Sequence, residues 1–296
     1  MTAPAAILVN TSSGIRPWHG KVAELVRARG IAAEVVLVSR GTNIAALAAR
    51  LIQEGRRTII AAGGDGTVSA VASAVLDTDA ALGVLPMGTL NHFARDLKVP
   101  LDLEDALTAL QRSKPRMVDV AEVNGRIFIN NSGLGLYPWM VTQREKRRKQ
   151  GQPKWLALIW ASLSALRRFP FLKVRVVAGG KSLAWRTPFV FVGNNTYRME
   201  GIAFGSRDSL DKGVLSLGVA QYRMGRWGLV RLAFRALAKE IGEERDFMML
   251  RAEEVRIYSR RRRVPVSLDG EVVLIETPLE YRTRPGALRV IAPEAG

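Results

Sequence analysis

The 296-residue sequence contains no cysteine and only two histidines, His19 and His92. The first absence removes disulfides, thiolate nucleophiles and thiolate metal centres. The second leaves too few imidazoles for a multi-histidine metal cluster. Low-complexity tracts and internal repeats are missing as well, so the chain reads as ordinary globular protein. No apolar run reaches the roughly 20 residues that a membrane-spanning helix needs. The closest stretch, WLALIWASLSAL at 155–166, is short and bounded by Lys154 and Arg167. The opening MTAPAAILVN has neither the basic start nor the long apolar core of a secretory signal, and a cytoplasmic location is expected.

Acidic residues are scarce relative to basic ones: 27 Asp and Glu stand against 44 Lys and Arg, a net charge of +17. That balance attracts polyanions such as nucleic acid, anionic lipid or nucleotide phosphates, without choosing among them. At 48% hydrophobic and 24% charged residues, the chain can bury one large core or two ordinary ones.

What is present first is a rhythm of strands and helices. AAILV at 5–9 reads as a buried strand, and a helix follows at 17–29 with Trp18, Val22, Leu25 and Val26 on one face. AEVVLV at 33–38 is a second strand, and NIAALAARLIQEG a helix with an Asn cap and a terminal Gly. RTIIAAG, TVSAVASAVL and AALGVLP continue as strand, helix and strand. The pattern predicts a doubly wound parallel sheet, which binds ligands at the carboxyl ends of its strands. From about Val118 the segments alternate in polarity and end in Gly, Asn or Asp turns, beginning with a hairpin in VDVAEVNGRIFINN. These predict an antiparallel, mostly-β second domain, interrupted by one helix at 226–241. The expected division is 1–128 for an α/β domain and 129–284 for a β-rich one, with a tail of about 285–296 returning to the first.

Three polar, glycine-bearing loops follow three of the predicted parallel strands, which is far less expected by chance than any one of them. The densest is AAGGDGTVSAV, with Gly63, Gly64 and Gly66 around Asp65 before a helix expected to begin at Thr67. A helix N-terminus offers free amide groups and partial positive charge to a phosphate. Asp65 then requires a cation between carboxylate and phosphate, or else merely caps the helix. The second loop, LPMGTLNHFARDL, carries Gly88, Thr89, Asn91 and Arg95, and the third is NTSSG. There is no GxxxxGK[ST] match, so this is not the common P-loop.

NTSSG, GGDGTVSAV, PMGTLNHFARDL, NNSGLG, VGNNTYRMEGIAFGSRDSLDKGVLSL and SLDGE, in this order, resemble the diacylglycerol kinase catalytic family. The similarity is greatest to its soluble bacterial lipid kinases, with more distant likeness to sphingosine and NAD kinases. The resemblance implies two domains, parallel α/β and antiparallel β-sandwich-like, with an active site in the interdomain cleft. It implies ATP- and Mg2+-dependent transfer of a γ-phosphoryl group to the hydroxyl of diacylglycerol or a related lipid alcohol. Carried over residue by residue, Asn10, Thr11, Ser12, Ser13 and Gly14 line the nucleotide, with Ser39 or Thr42 from the end of the second strand. Gly63, Gly64, Asp65, Gly66, Thr67, Val68, Ser69 and Ala70 hold phosphates and magnesium, and Gly88, Thr89 and Asn91 approach from the next loop. Glu271 of the DGE motif is the implied proton acceptor, with Asp65 and Asp269 as the other catalytic carboxylates. On spacing alone, VPVSLDGEVVLIE equally describes a hairpin with an Asp-Gly turn.

Two residues depart from the family pattern. His92 stands where relatives carry an acid, and Lys212 in SLDKGVL occupies the place of a structural metal ligand, so no such metal site is carried over. A basic stretch with Arg144, Lys146, Arg147, Arg148, Lys149 and Lys154 adjoins the Trp-bearing helical segment at 155–166, and Arg167 and Arg168 follow it. It suits adsorption to an anionic membrane surface at the inner face, or a helix packed on the β domain behind a solvated loop. SRRRR at 259–263 adds a further cationic patch. The partners expected are a lipid alcohol and that membrane surface; nucleic acid is not expected, and a homodimer is left open. An NAD kinase-like enzyme and a non-catalytic nucleotide- or polyanion-binding protein are the alternatives.

Overall fold

The computed structural model describes residues 5–12, 18–136, 138, 171–200, 203–207, 209–220 and 247–293. Ser13, Gly14, the basic segment at 144–168 and the helix expected at 226–241 lie outside the described residues. Two compact units emerge: Met1–Val120 with Ser209–Lys212 and Arg284–Gly296, and Ala121–Asp208 with Gly213–Thr283.

In the first unit, β1 (Ala5–Asn10), α1 (Trp18–Ala28), β2 (Ala33–Val38), α2 (Ile44–Gln53), β3 (Thr58–Gly63), α3 (Asp65–Val75) and β4 (Ala81–Pro86) alternate as the periodicity requires. There follow α4 (His92–Asp96), α5 (Leu103–Arg112) and β5 (Pro115–Val123), whose last residues belong to the second unit. The second unit holds β6 (Arg126–Phe128), β7 (Asn131–Gly135), β8 (Leu172–Ala178), β9 (Lys181–Thr187), β10 (Phe189–Asn194), β11 (Tyr197–Glu200) and β12 (Ala203–Arg207). It continues with β13 (Leu215–Ala220), β14 (Phe247–Ala252), β15 (Glu254–Ser259), β16 (Arg263–Leu268) and β17 (Glu271–Glu276). The last strand, β18 (Leu279–Ile291), begins in the second unit and ends in the first.

The first unit orders its strands β2-β1-β3-β4, all parallel, with the end of β18 added beside β4 through Val290↔Leu82. Ile7, Leu8, Ile59, Leu82 and Val84 are buried, as strands covered on both faces must be. The chain steps from β1 to β2 on one side and resumes with β3 on the other, so its winding direction reverses between β1 and β3. A crevice opens outside the carboxyl ends of strands at such a reversal, and open α/β sheets bind ligands there. Asn10 ends β1 and Gly63 ends β3, so the topology puts both at this point.

Helix caps follow the sequence closely. Asn43 accepts the N–H of Ala46 (3.0 Å), and Gly55, just past α2, takes φ +93°. The sequence reading left out α5, although the signal was present. Asp102 accepts the N–H groups of Glu104 (2.8 Å) and Asp105 (3.2 Å), and Leu103, Ala106, Leu107 and Leu110 form a buried stripe.

The second unit is antiparallel throughout its main sheet, β14-β13-β10-β7-β16-β17. Facing it across a shared core are β9, β8, β15 and the first part of β18. Val174, Val176, Val255 and Ile257 of one sheet meet Leu134, Val190, Val192 and Val266 of the other, which makes this a β-sandwich. Asn124-Gly125, Gly179-Gly180 and Asp269-Gly270 each have positive φ at both residues, the geometry of tight hairpin turns. Tyr281 is buried, and its hydroxyl lies 3.0 Å from Ser132 Oγ. Burial pushes its phenol well above the ordinary tyrosine range, and the Ser132 contact offsets this in part.

Candidate active site

The first unit assembles the glycine loops at the winding reversal. A Cβ on Gly63 would stand 2.5 Å from Thr67 Oγ1, and one on Gly88 would stand 2.4 Å from Gly64 Cα and 2.8 Å from Asn91 Oδ1. The crowding of glycines thus has an internal cause: the loops after β3 and β4 press backbone on backbone. Asn91, in the left-handed region at φ +52°, closes its own loop. Its Oδ1 accepts the N–H of Gly88 and its Nδ2 donates to Gly88 O, both at 2.9 Å. Gly88→Ala is therefore expected to destabilise the protein by about 1–3 kcal/mol through overpacking. Leu90→Ala, at a 59% exposed position on the same loop, should stay within about 0.5 kcal/mol in denaturant unfolding.

Asp65 does something the sequence did not anticipate. Helix α3 begins at Asp65 rather than Thr67, its N-cap is Gly64, and no side chain caps it. Asp65 Oδ1 instead accepts the N–H of Phe93 (3.2 Å) in the first turn of α4, tying the two loops together. Its other carboxylate oxygen takes no hydrogen bond from a described residue. Thr67 and Val68 donate their N–H groups to Gly64 O (2.9 and 3.1 Å), whereas those of Asp65 and Gly66 have no partner among the described residues. Val68 is buried in the core, so only its backbone faces the loop.

The remaining loops join this arrangement through hydroxyls. Asn10 Nδ2 donates to the buried Thr67 Oγ1 (2.8 Å), and Asn10 Oδ1 accepts the N–H of Ser12 (3.0 Å). Thr11 directs both its N–H and its Oγ1 to Val38 O, each at 3.0 Å, fastening the loop after β1 to the end of β2. Ser39 Oγ and Thr42 Oγ1 lie 3.4 Å apart, so the two hydroxyls between which the sequence could not choose share one turn. Thr89 is exposed, while Arg95 donates from Nε to Leu90 O (3.1 Å).

The second unit holds the DGE turn, and here two carboxylates part company. Asp269 accepts three successive backbone N–H groups: Ile129 at 2.9 Å on Oδ2, and Asn130 at 2.8 Å and Asn131 at 3.0 Å on Oδ1. Its own N–H donates to Asn131 O (2.9 Å). The carbonyls of the same segment are held from the opposite direction. Buried Arg207 donates from Nη1 to Ile129 O (2.6 Å) and from Nη2 to Asn130 Oδ1 (2.8 Å), and Tyr197 OH donates to Asn130 O (3.0 Å). Glu271, the first residue of β17, is exposed; its backbone is paired with Leu268 of β16, and its carboxylate bonds to no described residue. The turn is held by these hydrogen bonds, and one of its two carboxylates is unengaged by any described residue. Sequence reasoning assigned no role to Asn130, Tyr197 or Arg207; the asparagine pairs in NNSG and VGNN were the available signal.

In the SLDKG segment Ser209 Oγ is bonded to the Asp211 carboxylate and the Asp211 N–H is directed to Ser209 Oγ (3.3 Å), while Leu210 O accepts the N–H of Asp119 (2.7 Å). Among the described residues no cluster of three histidine or acidic side chains could hold a metal ion. None of their helices is long and apolar enough to cross a membrane.

A parallel sheet with amide- and hydroxyl-bearing loops at its winding reversal is an α/β unit of the kind that binds ligands at that point, here combined with a β-sandwich. Comparison with known proteins narrows the class. The diacylglycerol kinase catalytic domain profile matches residues 4–123, and the profile of the YegS C-terminal NAD kinase beta sandwich-like domain matches residues 140–292. A protein of Pseudomonas fluorescens named "Probable lipid kinase YegS-like" is 32% identical, covering 83% of this chain and 82% of that protein. Its namesake in Pseudomonas aeruginosa PAO1 is 31% identical, over 83% and 81%. A Synechocystis protein is 27% identical over 81% of this chain, which spans 56% of that relative's length. A crystal structure of a diacylglycerol kinase from Bacillus anthracis str. Sterne has the same fold, with a TM-score of 0.71 at 20% identity, covering 98% of this chain and 97% of that one. The chain belongs to the diacylglycerol kinase catalytic family, in its YegS-like branch, and membership implies a kinase that takes its phosphoryl group from ATP.

Proposed function

We propose that this protein is a magnesium-dependent lipid kinase that moves the γ-phosphoryl group of ATP to the hydroxyl of diacylglycerol or a related lipid alcohol. The observation that carries the reading is the joined set of loops at the β1/β3 reversal: Asn10 bonded to Thr67, Asp65 to Phe93, and Gly64 against Gly88. The unpartnered N–H groups of Asp65 and Gly66 at the start of α3 would meet phosphate oxygens. One free carboxylate oxygen suits a magnesium ion that arrives with the nucleotide, since such ions take one or two carboxylates plus phosphates and waters. Bound there, the ion would neutralise charge on the β- and γ-phosphates.

The lipid oxygen forms a bond to the γ-phosphorus as the bond to the β–γ bridging oxygen breaks, and ADP leaves. The proton of the lipid hydroxyl passes to the Glu271 carboxylate, which no described residue engages. Asp269 positions that acceptor by fixing the turn. The basic segment at 144–168 would bring the enzyme to the anionic inner face of the membrane, where the acceptor resides.

The test is incubation with labelled ATP, magnesium and separate acceptors: diacylglycerol, monoacylglycerol, a sphingoid base, a polyprenol and NAD. A labelled lipid product that disappears on chelation of magnesium is expected. Label in NAD and in no lipid would reject the lipid assignment in favour of an NAD kinase.

A further inference from the structure

On the sandwich face formed by β8, β9 and β15, Lys173, Arg175, Arg186 and Arg260 line a shallow groove of about 470 Å³ together with Trp185 and Tyr258. We infer that this groove is a contact surface for an anionic phospholipid bilayer, built from residues other than those of the basic segment at 144–168. The inference rests on the lipid-kinase reading for its choice of partner, but not for its geometry.

Charge makes the first argument. The 171–187 hairpin contains four cations and no acid, and 255–263 contains five cations and no acid. Within the second stretch, three of the five find carboxylates on neighbouring strands: Arg256 lies 3.5 Å from Glu280, and Arg262 and Arg263 lie 3.8 and 2.7 Å from Glu276. The four cations lining the groove have no carboxylate partner among the described residues. Lys173 is moreover the direct cross-strand neighbour of Arg186. Like charges opposite one another destabilise a sheet, and the repulsion is relieved when an anion lies over both.

The aromatic rings decide between anions. Arg175 sits over the ring of Tyr258, 4.5 Å from its centroid, and Arg186 over that of Phe171 at 5.1 Å. A single-stranded nucleic acid would need open ring faces on which bases stack. Here a guanidinium already covers a face of each ring. Guanidinium groups laid on the rings of Tyr258 and Phe171 instead combine a charged layer with amphipathic rings, the pairing that suits a bilayer's headgroup region.

The test is sedimentation, without ATP, with vesicles of phosphatidylcholine alone or with about one third phosphatidylglycerol. A variant combining Lys173→Gln, Arg186→Gln and Arg260→Gln is compared with wild type. Each surface cation contributes about fivefold in affinity for an anionic membrane. The triple variant should therefore bind anionic vesicles at least tenfold more weakly, with unchanged thermal unfolding and unchanged turnover of a short-chain, water-soluble lipid alcohol. Three outcomes would overturn the inference: binding of the triple variant within twofold of wild type, no preference of wild type for the anionic vesicles, or tighter binding of a single-stranded oligonucleotide through the same three residues. Adsorption is read without catalysis, so the two readings can fail separately. If no lipid is ever phosphorylated but adsorption depends on these side chains, the kinase assignment falls and the surface stands.

Discussion

Asp65→Asn is expected to lower phosphoryl transfer at least about 100-fold while leaving the unfolding midpoint near that of wild type. The amide oxygen of asparagine can still accept the Phe93 N–H, so the link from α3 to α4 survives. What the substitution removes is negative charge, and with it the hold on a cation that stabilises the transferring phosphoryl group, an effect of several kcal/mol. Asp65→Ala removes both functions and should add about 1 kcal/mol of destabilisation, the usual scale for a lost helix cap. The same logic gives an opposite sign for binding without magnesium. A carboxylate beside phosphates repels them, so Asp65→Asn should bind ATP as tightly as wild type or more tightly when magnesium is chelated. Turnover within a few-fold of wild type, at the same magnesium dependence, would make Asp65 a cap for α4 and nothing more.

Much of this arrangement is legible in the sequence because it rests on local signals. Continuous apolar strands with caps and terminal glycines mark the β-α alternation, and Asn-Gly, Gly-Gly and Asp-Gly mark the hairpins. The family motifs mark the loops. Their mutual arrangement is less legible, since it depends on contacts between residues far apart in the chain. Gly63 and Gly64 read as a place where backbone approaches a phosphate, yet their neighbours are Thr67 and Gly88. The loops are packed together by the protein itself, which holds the free amides of Asp65 and Gly66 ready. Likewise nothing near Asp65 in sequence points to Phe93, whose N–H it accepts 28 positions away. Arg207 reads as one more cation in a strongly basic chain. Only the sandwich shows it fully buried, bonded to the carbonyl of Ile129.

That buried network gives the DGE motif its sharpest consequence. Glu271→Gln should reduce turnover by about 100-fold or more, the ordinary contribution of a positioned general base, with ATP affinity little changed. Glutamine keeps the size and polarity of an exposed side chain that no described residue engages, so stability should hold. Asp269→Asn should behave differently. Its Oδ1 can go on accepting from Asn130 and Asn131, but an amide nitrogen would replace the oxygen that takes the Ile129 N–H at 2.9 Å. Two donors would then face each other, at a cost of about 1–3 kcal/mol in stability. Any activity lost there should track unfolding and be regained at lower temperature or with a stabilising solute. Temperature separates the roles. Rate lost in Asp269→Asn should return on cooling, whereas rate lost in Glu271→Gln should not. If instead Glu271→Gln keeps turnover within a few-fold of wild type while fully folded Asp269→Asn stays inactive, the proton goes to Asp269, and the three amides on its carboxylate are part of the catalytic apparatus rather than a structural clamp.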